Sequence, residues 1–267
     1  MIRAGLAVKE AAKGQAARRQ FAKIKAAGFD HVITAYRGCD RAGETLRVFC
    51  EGALEAGLSA DAVYLPSEGL NEIWRPSETG DAVTAEIEGR IFDASRVGIG
   101  TVILQAALEM PPPVAQCGLD RFRRMAAFAE ERGVRICLEN RKNLMHFDLL
   151  TAVLSDHHGL CWNTAHNRFF TPKVDFLEKY ARSLQLVVLE DGRETEEGRE
   201  MHLLPGEGDG DFSLMARGLA RAGYRGVYYV NAFPKAGQSA ERFYAAAYDA
   251  ARRVSLLTDG YREENGQ

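Results

Sequence analysis

Short apolar runs alternate with helix-length amphipathic segments along almost the whole chain. Eight of these runs are rich in Val, Ile and Leu with little strict alternation, which is typical of parallel strands covered by helices. The predicted strands are Ile2–Val8, His31–Thr34, Ser59–Leu65, Thr101–Gln105, Val134–Glu139, Leu160–Asn163, Leu184–Leu189 and Val227–Asn231. Apolar residues between them recur at helical spacing, and several predicted helices end at a glycine that leads into the next strand, as at Gly28, Gly133 and Gly223.

This alternation predicts an α/β fold in which each strand is followed by a helix. Repeated units of this kind form a parallel sheet, either closed into a (β/α)₈ TIM barrel or open and doubly wound. A GxGxxG turn after the first strand would favour the open sheet, but the chain reads KEAAKG over 9–14. We therefore expect residues 1–267 to form one TIM barrel. Pro66–Asp81 is predicted to be a long loop over the site, and 258–267 a frayed tail.

Composition narrows the possible partners. The chain has 267 residues, of which 46% are hydrophobic and 27% charged, as expected for one large α/β domain. Its formal net charge of −3 argues against nucleic acid or an anionic membrane as the main partner. The sequence contains no apolar run long enough for a membrane span and no signal-peptide core. The cysteines form no CxxC pair, which indicates a reducing cytoplasm; they are Cys39, Cys50, Cys117, Cys137 and Cys161.

Polar side chains stand at the ends of two neighbouring predicted strands. Glu139 ends the fifth strand, where a carboxylate is costly unless it has a partner at the barrel mouth. The structural alternative is that Glu139 caps the next helix or pairs with Arg141. The sixth strand ends at Asn163, with Trp162 before it and His166 shortly after it, so that an amide and an imidazole can enter one cavity.

The last two strands carry further candidates. Val188 and Glu190 share one strand face, so Glu190 can enter the mouth, whereas Asp191 is equally well explained as a turn former beside glycine. The segment 200–208 is interpreted as a turn-rich loop that carries His202. A plain turn before a helix capped near Asp211 explains its glycines better than an anion site does. Asn231 follows the last strand and can bind a hydroxyl or carbonyl but cannot transfer protons.

Four segments carry a family resemblance: ICLEN, GLCWNTAHN, HLLPGEGDGDF and AGYRGVYYVNAF. They are similar to the fifth to eighth strand regions of the xylose-isomerase-like barrel superfamily, which includes sugar isomerases and epimerases, inosose-processing enzymes and endonuclease IV. The resemblance covers nearly the whole chain. It implies a divalent metal held by Glu, Asp, His and Glu, with both Glu also moving protons. The matching positions here are Glu139, Asn163, Val188 and Asn231, while His166 matches the histidine of the family's DTxH motif and His202 the histidine before its GEG.

The departures from the family pattern matter for mechanism. One carboxylate, two amides and a valine would hold Mn²⁺, Mg²⁺ or Zn²⁺ poorly, so the resemblance implies a weakened or absent metal site, or one rebuilt with other ligands. The expected metal positions are Glu139, Asn163, Glu190 and His202. The expected catalytic residues are Glu139, His166 and His202. The expected substrate contacts are Trp162, Asn163, His166, Asn231 and Phe233. Endonuclease activity is disfavoured, because the strand-four histidine position is Gln105 and the net charge is negative.

Three functions stay open on these grounds. The first is a sugar or cyclitol isomerase or epimerase that acts by proton transfer at the barrel mouth with a weakened metal site. The second is a metal-free enzyme of the lyase type, in which Glu139 works with His166 or His202. The third is a non-catalytic barrel that binds a polyol or serves as a subunit of an enzyme complex. The sequence also leaves open whether the chain forms a homo-oligomer.

Overall fold

The fold is a closed barrel of eight parallel strands surrounded by helices. The structure, a computed structural model, describes residues 2–8, 15–36 and 43–264. The barrel strands are β1 (Ala4–Val8), β2 (His31–Ala35), β3 (Ser59–Tyr64), β4 (Thr101–Gln105), β5 (Arg135–Glu139), β6 (Gly159–Asn163), β7 (Leu184–Leu189) and β10 (Tyr228–Val230). They pair in chain order, and β10 closes the barrel between β7 and β1. The predicted TIM barrel and its eight strands are confirmed, with some strand ends displaced by a few residues.

Helices cover the barrel between consecutive strands. They are α1 (Gln15–Ala26), α2 (Glu44–Glu55), α3 (Glu78–Arg96), α4 (Gln116–Glu130), α5 (Leu144–Val153), α6 (Thr164–Phe170), α7 (Phe176–Lys179), α8 (Phe212–Arg221) and α9 (Ala240–Glu264). The glycines that follow α4 and α8, Gly133 and Gly223, both have φ of +67°, the left-handed conformation expected at a helix C-terminus. Among the described helices, none is long and apolar enough to cross a membrane. The turn at 9–14 and Cys39 lie outside the described residues.

Strand alternation divides the core into two layers. Side chains on one face of each strand fill the inside of the barrel, and those on the other face pack against the helices. The inner layer consists of Ile33, Ala62, Ile103, Cys137, Cys161, Leu186, Val188 and Tyr229. Polar residues that lie two positions after an inner-layer residue therefore stand at the C-terminal mouth of the barrel.

The segment 66–81 is more ordered than a long loop. It contains a 3₁₀-helix, Leu70–Trp74, and α3 already begins at Glu78. The buried Arg121 of α4 fixes it by donating hydrogen bonds to backbone carbonyls in this segment, at Ile73, Arg75 and Ser77, over 2.6–2.9 Å. The prediction of a loop was therefore wrong over most of its length. The 3₁₀-helix between β3 and α3 has only five residues, too few to show a hydrophobic period in the sequence.

Two further predictions needed correction. The part of the predicted frayed tail that the structure describes is the last part of α9, in which Thr258 and Arg262 are buried against the rest of the molecule. The region after β7 is not simply loop, because β8 (Asp191–Thr195) and β9 (Gly198–Leu203) form an antiparallel hairpin. Alternating charges along this hairpin concealed its strand character, since neither strand carries an apolar run.

Candidate active site

One layer of polar side chains lines the barrel mouth directly above the inner apolar layer. Each member lies two residues after an inner-layer residue on the same strand face. The pairs are Cys137 with Glu139, Cys161 with Asn163, Val188 with Glu190, and Tyr229 with Asn231. All four polar residues are buried, with exposures between 1% and 8%. The predicted strand-end cluster is therefore present, and its members lie in hydrogen-bonding contact.

The backbone just beyond the strands is tied together by side chains. Asn140 donates to the carbonyl of Asn163 over 3.0 Å and accepts from its amide nitrogen over 2.6 Å. Thr164 donates to the carbonyl of Glu190 over 2.6 Å and accepts from its amide over 2.9 Å. Because each strand end is fixed to the next, Glu139, Asn163 and Glu190 are held in a constant relative position.

The amide of Asn163 joins the two buried carboxylates. Its Nδ2 donates to Oε1 of Glu139 over 3.3 Å and to Oε2 of Glu190 over 3.2 Å. Two carboxylates in so small a volume repel each other, and a shared N–H donor reduces this cost. Oδ1 of Asn163 accepts from the backbone N–H of His166 over 3.2 Å, which fixes the orientation of the amide.

Each carboxylate is anchored through one oxygen and leaves the other beside an imidazole. Oε1 of Glu139 accepts from the Tyr64 hydroxyl over 3.0 Å, and its Oε2 lies 3.5 Å from Nδ1 of His166. Oε2 of Glu190 accepts from Asn231 over 2.7 Å, and its Oε1 lies 2.9 Å from Nδ1 of His202. Neither imidazole contact has the direction of a hydrogen bond. Nδ1 of both histidines and Oε1 of Glu190 have no hydrogen-bond partner among the described residues.

The charge states of two site residues follow from their surroundings. Burial alone would raise the pKa of Glu190, but the contact with His202 and the electrostatic attraction of the His202 and His166 rings outweigh it and hold the pKa below its ordinary value. Burial, reinforced by the charge of Glu139, raises the pKa of Tyr64 well above its usual range. Glu190 is thus a carboxylate and Tyr64 a neutral hydroxyl donor at neutral pH.

Arg141 sets the tautomer of His166. Its Nη1 lies 3.3 Å from Nε2 of His166. A guanidinium can only donate, so Nε2 accepts and the ring proton lies on Nδ1, the nitrogen that faces Glu139. Arg141 therefore does not pair with Glu139, which was the structural alternative for that carboxylate. It orients the imidazole beside it.

His202 reaches the site on the hairpin in a strained backbone conformation. Its φ is +63°, which is uncommon for a residue with a Cβ and is often found at functional sites. The ring packs edge-on against Phe233, with 4.8 Å between the ring centroids, and the backbone N–H of Phe233 donates to the His202 carbonyl over 2.9 Å. Phe233 was predicted to form an apolar wall for the substrate, and in the structure its ring packs against the imidazole of His202.

Asp191 holds the segment that carries His202 back to the barrel. Its carboxylate is 1% exposed and accepts hydrogen bonds from the backbone N–H groups of Gly206, Gly208 and Gly210 over 2.8–3.0 Å. The glycine-rich loop thus does bind an anion, but that anion is a side chain of the same chain. Asp211 caps α8 as predicted, with its Oδ1 accepting from the N–H of Leu214 over 2.9 Å.

One predicted site residue lies elsewhere. Trp162 belongs to the outer core layer, and its Nε1 donates to Asn167 over 2.9 Å. Adjacent residues in a strand face opposite sides, so Trp162 cannot share the mouth with Asn163. The same rule would have found two residues that the sequence analysis did not assign to the site. Tyr64 follows Ala62 and Gln105 follows Ile103, each by two positions on an inner-layer face.

The donor set at the mouth does not fit a divalent cation. Where a metal would need lone pairs, Asn163 presents N–H groups to both carboxylates, and Val188 offers none. Among residues 2–8, 15–36 and 43–264, no group of three or more His, Cys, Asp or Glu side chains is arranged to hold a metal. The predicted set of Glu139, Asn163, His202 and Glu190 does come together, but Asn163 acts in it as a donor rather than as a ligand.

Fold and site together define a (β/α)₈ barrel with a cluster of acid–base residues at the C-terminal ends of its strands. The family model described as the xylose isomerase-like TIM barrel matches residues 21–249, and the chain belongs to that family. No curated protein matches the chain.

Several solved structures share the fold at low sequence identity. A structure of L-ribulose 3-epimerase is 17% identical with a TM-score of 0.74, over 100% of this chain and 97% of that one. D-psicose 3-epimerase from Clostridium cellulolyticum H10, solved with D-tagatose, is 13% identical with a TM-score of 0.75, over 96% and 99%. The 3-keto-D-glucoside 4-epimerase of E. coli is 16% identical with a TM-score of 0.70, over 96% and 100%. At these identities the similarity establishes the fold.

Proposed function

We propose that this protein isomerises or epimerises a sugar or cyclitol derivative by proton transfer at the barrel mouth. The observation that carries the proposal is the paired arrangement of Glu139 with His166 and of Glu190 with His202, joined by Asn163. Paired carboxylates and imidazoles are the groups that remove a proton from one atom and deliver it to another. The three sugar epimerases with the same fold agree with this class of reaction.

Each side chain has a role in the proposed reaction. Ionised Glu190 removes the proton from a carbon next to a carbonyl through Oε1, the oxygen that lacks a hydrogen-bond partner among the described residues. In an isomerisation Glu190 returns the proton to the neighbouring carbon on the same face, and Glu139 transfers the proton between the two substrate oxygens. In an epimerisation Glu139 delivers a proton to the opposite face of the same carbon, and Glu190 keeps the proton that it removed until solvent takes it up. The N–H groups of His166 and His202 donate to the oxygens of the substrate, where negative charge develops. No step depends on a metal ion.

Deuterium exchange tests the proposal. The protein is incubated in D₂O with a panel of ketoses, aldoses and cyclitols, and NMR follows deuterium incorporation at carbon together with rearranged product. Glu139→Gln and Glu190→Gln keep the size of the side chain and remove the base, so exchange should fall by about 10²-fold or more. Glu200→Gln is the matched control, because Glu200 is an exposed hairpin residue paired with Arg193.

Other outcomes would reassign the site. Loss of water from the substrate with formation of a double bond would make the protein a lyase that uses the same acid–base pairs. Binding of polyols in a thermal-shift assay without exchange in any member of the panel would leave a non-catalytic polyol-binding barrel. Exchange that survives both Glu→Gln changes would contradict the proposal directly.

A further inference from the structure

A cavity of about 380 Å³ opens beside the acid–base cluster at the ends of β4 and β5. It is lined by Gln105, Arg141, Lys142 and Phe170, among others. Gln105 is the register neighbour of Glu139 in the sheet, and the ring of Phe170 packs against His166 with 5.4 Å between centroids. The cavity therefore borders the acid–base cluster through Gln105 beside Glu139 and through Phe170 beside His166.

The charged residues that line this cavity are Arg141, Lys142 and Glu109, which leaves one net positive charge. Arg141 contacts His166, and among the described residues no carboxylate lies within ion-pair distance of its guanidinium. Lys142 pairs over 2.7 Å with Glu109, a lining residue whose side chain is 68% exposed, so Arg141 is the cation of the cavity that no described carboxylate offsets directly. The centroid of the Phe170 ring lies 5.2 Å from the guanidinium carbon of Arg141 and 5.1 Å from Nζ of Lys142, so both cations contact the same aromatic ring.

Two further features point to a bound ligand. Helix α5 starts next to the cavity, and Asn143 at its N-cap makes no side-chain cap; its amide donates instead to the carbonyls of Ala107 and Leu108. The N–H of Leu144 in the first turn donates to the carbonyl of Lys142 over 3.0 Å, and the dipole of the helix adds positive potential at this point. Independently, Oε1 of Gln105 is buried without a hydrogen-bond partner among the described residues, and it can accept from a ligand hydroxyl.

We infer that the substrate carries an anionic group, a phosphate or a carboxylate, which Arg141 and Lys142 bind in this cavity. This inference rests on the proposed function, since it places the reacting carbon at Glu139 and Glu190 and the anion on the far side of His166. Gln105 binds a hydroxyl of the same ligand. The substrate class is then an acidic sugar derivative, either a sugar phosphate or a sugar acid.

Calorimetric titration with D-glucose, D-glucose 6-phosphate and D-glucuronate tests this inference, because the three share a ring and differ in their anionic group. We expect the anionic member that fits to bind at least about tenfold more tightly than D-glucose. Tighter binding of D-glucose 6-phosphate would identify the anionic group of the substrate as a phosphate. Tighter binding of D-glucuronate would identify it as a carboxylate. Inorganic phosphate alone should compete with whichever ligand binds.

Variants assign the preference to the cavity. Lys142→Gln should lower the anion preference and leave D-glucose binding unchanged, because Lys142 pairs with Glu109 and does not contact the acid–base cluster. Arg141→Gln should remove the preference and also weaken D-glucose binding, because Arg141 orients His166, and Arg141→Lys should restore part of the preference. Arg124→Gln is the matched control, because Arg124 pairs with Glu88 on the helix surface. Equal binding of all three ligands, or an anion preference that survives Arg141→Gln, overturns the inference.

The two proposals fail separately. An Arg141-dependent anion preference without deuterium exchange at carbon would refute the proton-transfer function and leave the anion site in place. Exchange that is as fast with neutral sugars as with the sugar phosphate and the sugar acid, without any anion preference in binding, would refute the anion site and leave the function in place.

Discussion

Nδ1 of His202 lies 2.9 Å from Oε1 of Glu190, because the antiparallel β8–β9 hairpin pairs Asp191 with Leu203 and so brings the two residues together at its open end. Glu190 immediately precedes the first hairpin strand, and His202 lies near the end of the second. The second strand of the hairpin therefore returns to the barrel mouth and places His202 there. This contact completes one of the two carboxylate–imidazole pairs on which the proposed function depends.

The strained backbone of His202 predicts a difference between two substitutions. His202→Asn and His202→Val both remove the imidazole and should both lower proton exchange. Asn adopts φ near +60° readily, whereas a β-branched residue does not. The free energy of unfolding in urea should therefore fall by about 1–2 kcal/mol more for His202→Val than for His202→Asn. Equal stability of the two variants would mean that the left-handed conformation at 202 carries no cost.

The bridging role of Asn163 predicts that a carboxylate cannot replace it. Asn163→Asp puts a third acid between Glu139 and Glu190, and we expect a loss of about 3 kcal/mol of stability at pH 7. Repulsion raises the pKa of the cluster in the folded state, so the loss should grow as pH rises from about 4 and shrink as pH falls. Urea unfolding at pH 5 and pH 7 measures it. A loss that does not depend on pH would count against the repulsion.

Metal affinity is a separate prediction from the same cluster. We expect the unmodified chain to bind Mn²⁺ and Zn²⁺ more weakly than the triple variant Asn163→Asp, Val188→His and Asn231→Glu. The variant supplies two more carboxylates and an imidazole to neutralise and coordinate the ion. Calorimetric titration of both proteins measures the difference. Tight stoichiometric binding by the unmodified chain would contradict the prediction and point to Glu190, His166 or His202 as ligands.

The buried carboxylate of Asp191 leads us to expect a large loss of stability from the isosteric substitution Asp191→Asn. Asp191→Asn removes the charge and turns an N–H group toward backbone donors at Gly206, Gly208 and Gly210. We expect a loss of about 2–3 kcal/mol, because these charge-assisted hydrogen bonds are buried. Glu194→Gln, an exposed change on the same hairpin, is the control and should have little effect. Similar unfolding midpoints for the two variants would refute the anchoring role of Asp191.

Because His158 is buried with a lowered pKa, we expect it to make the free energy of unfolding fall in acid. Burial lowers its pKa to about 4, although the nearby Glu130 opposes this, and its Nδ1 accepts from the N–H of Ile136 over 3.0 Å. The unfolded chain takes up this proton near pH 6.5, before the folded chain does. The contribution is therefore complete above pH 6.5 and is lost as pH falls toward 4.

His158→Asn keeps an acceptor for Ile136 and removes the titration. The parent should lose about 2–3 kcal/mol more than the variant between pH 7 and pH 4. Urea unfolding across this range measures the difference. Parallel stability curves for the two proteins would show that His158 does not contribute.

The sequence by itself determined the barrel. Strand-length apolar runs and helix-ending glycines are local signals with fixed periods, so all eight strands could be predicted. Strand alternation also determined which residues share a face, and it placed Glu139, Asn163, Glu190 and Asn231 together at one end. Trp162 was assigned to the site against that same rule, and the structure corrects it.

Only the tertiary structure decided how the site works. The hairpin that brings His202 to Glu190 has no apolar run, and Asp191 finds its hydrogen-bond donors among glycines far along the chain. The use of the Asn163 amide as a donor to two carboxylates, and the contact of Arg141 with His166, depend on side-chain directions across neighbouring strand ends. Periodicity fixes the face on which a side chain lies, whereas its partner is fixed by the packing of residues distant in sequence.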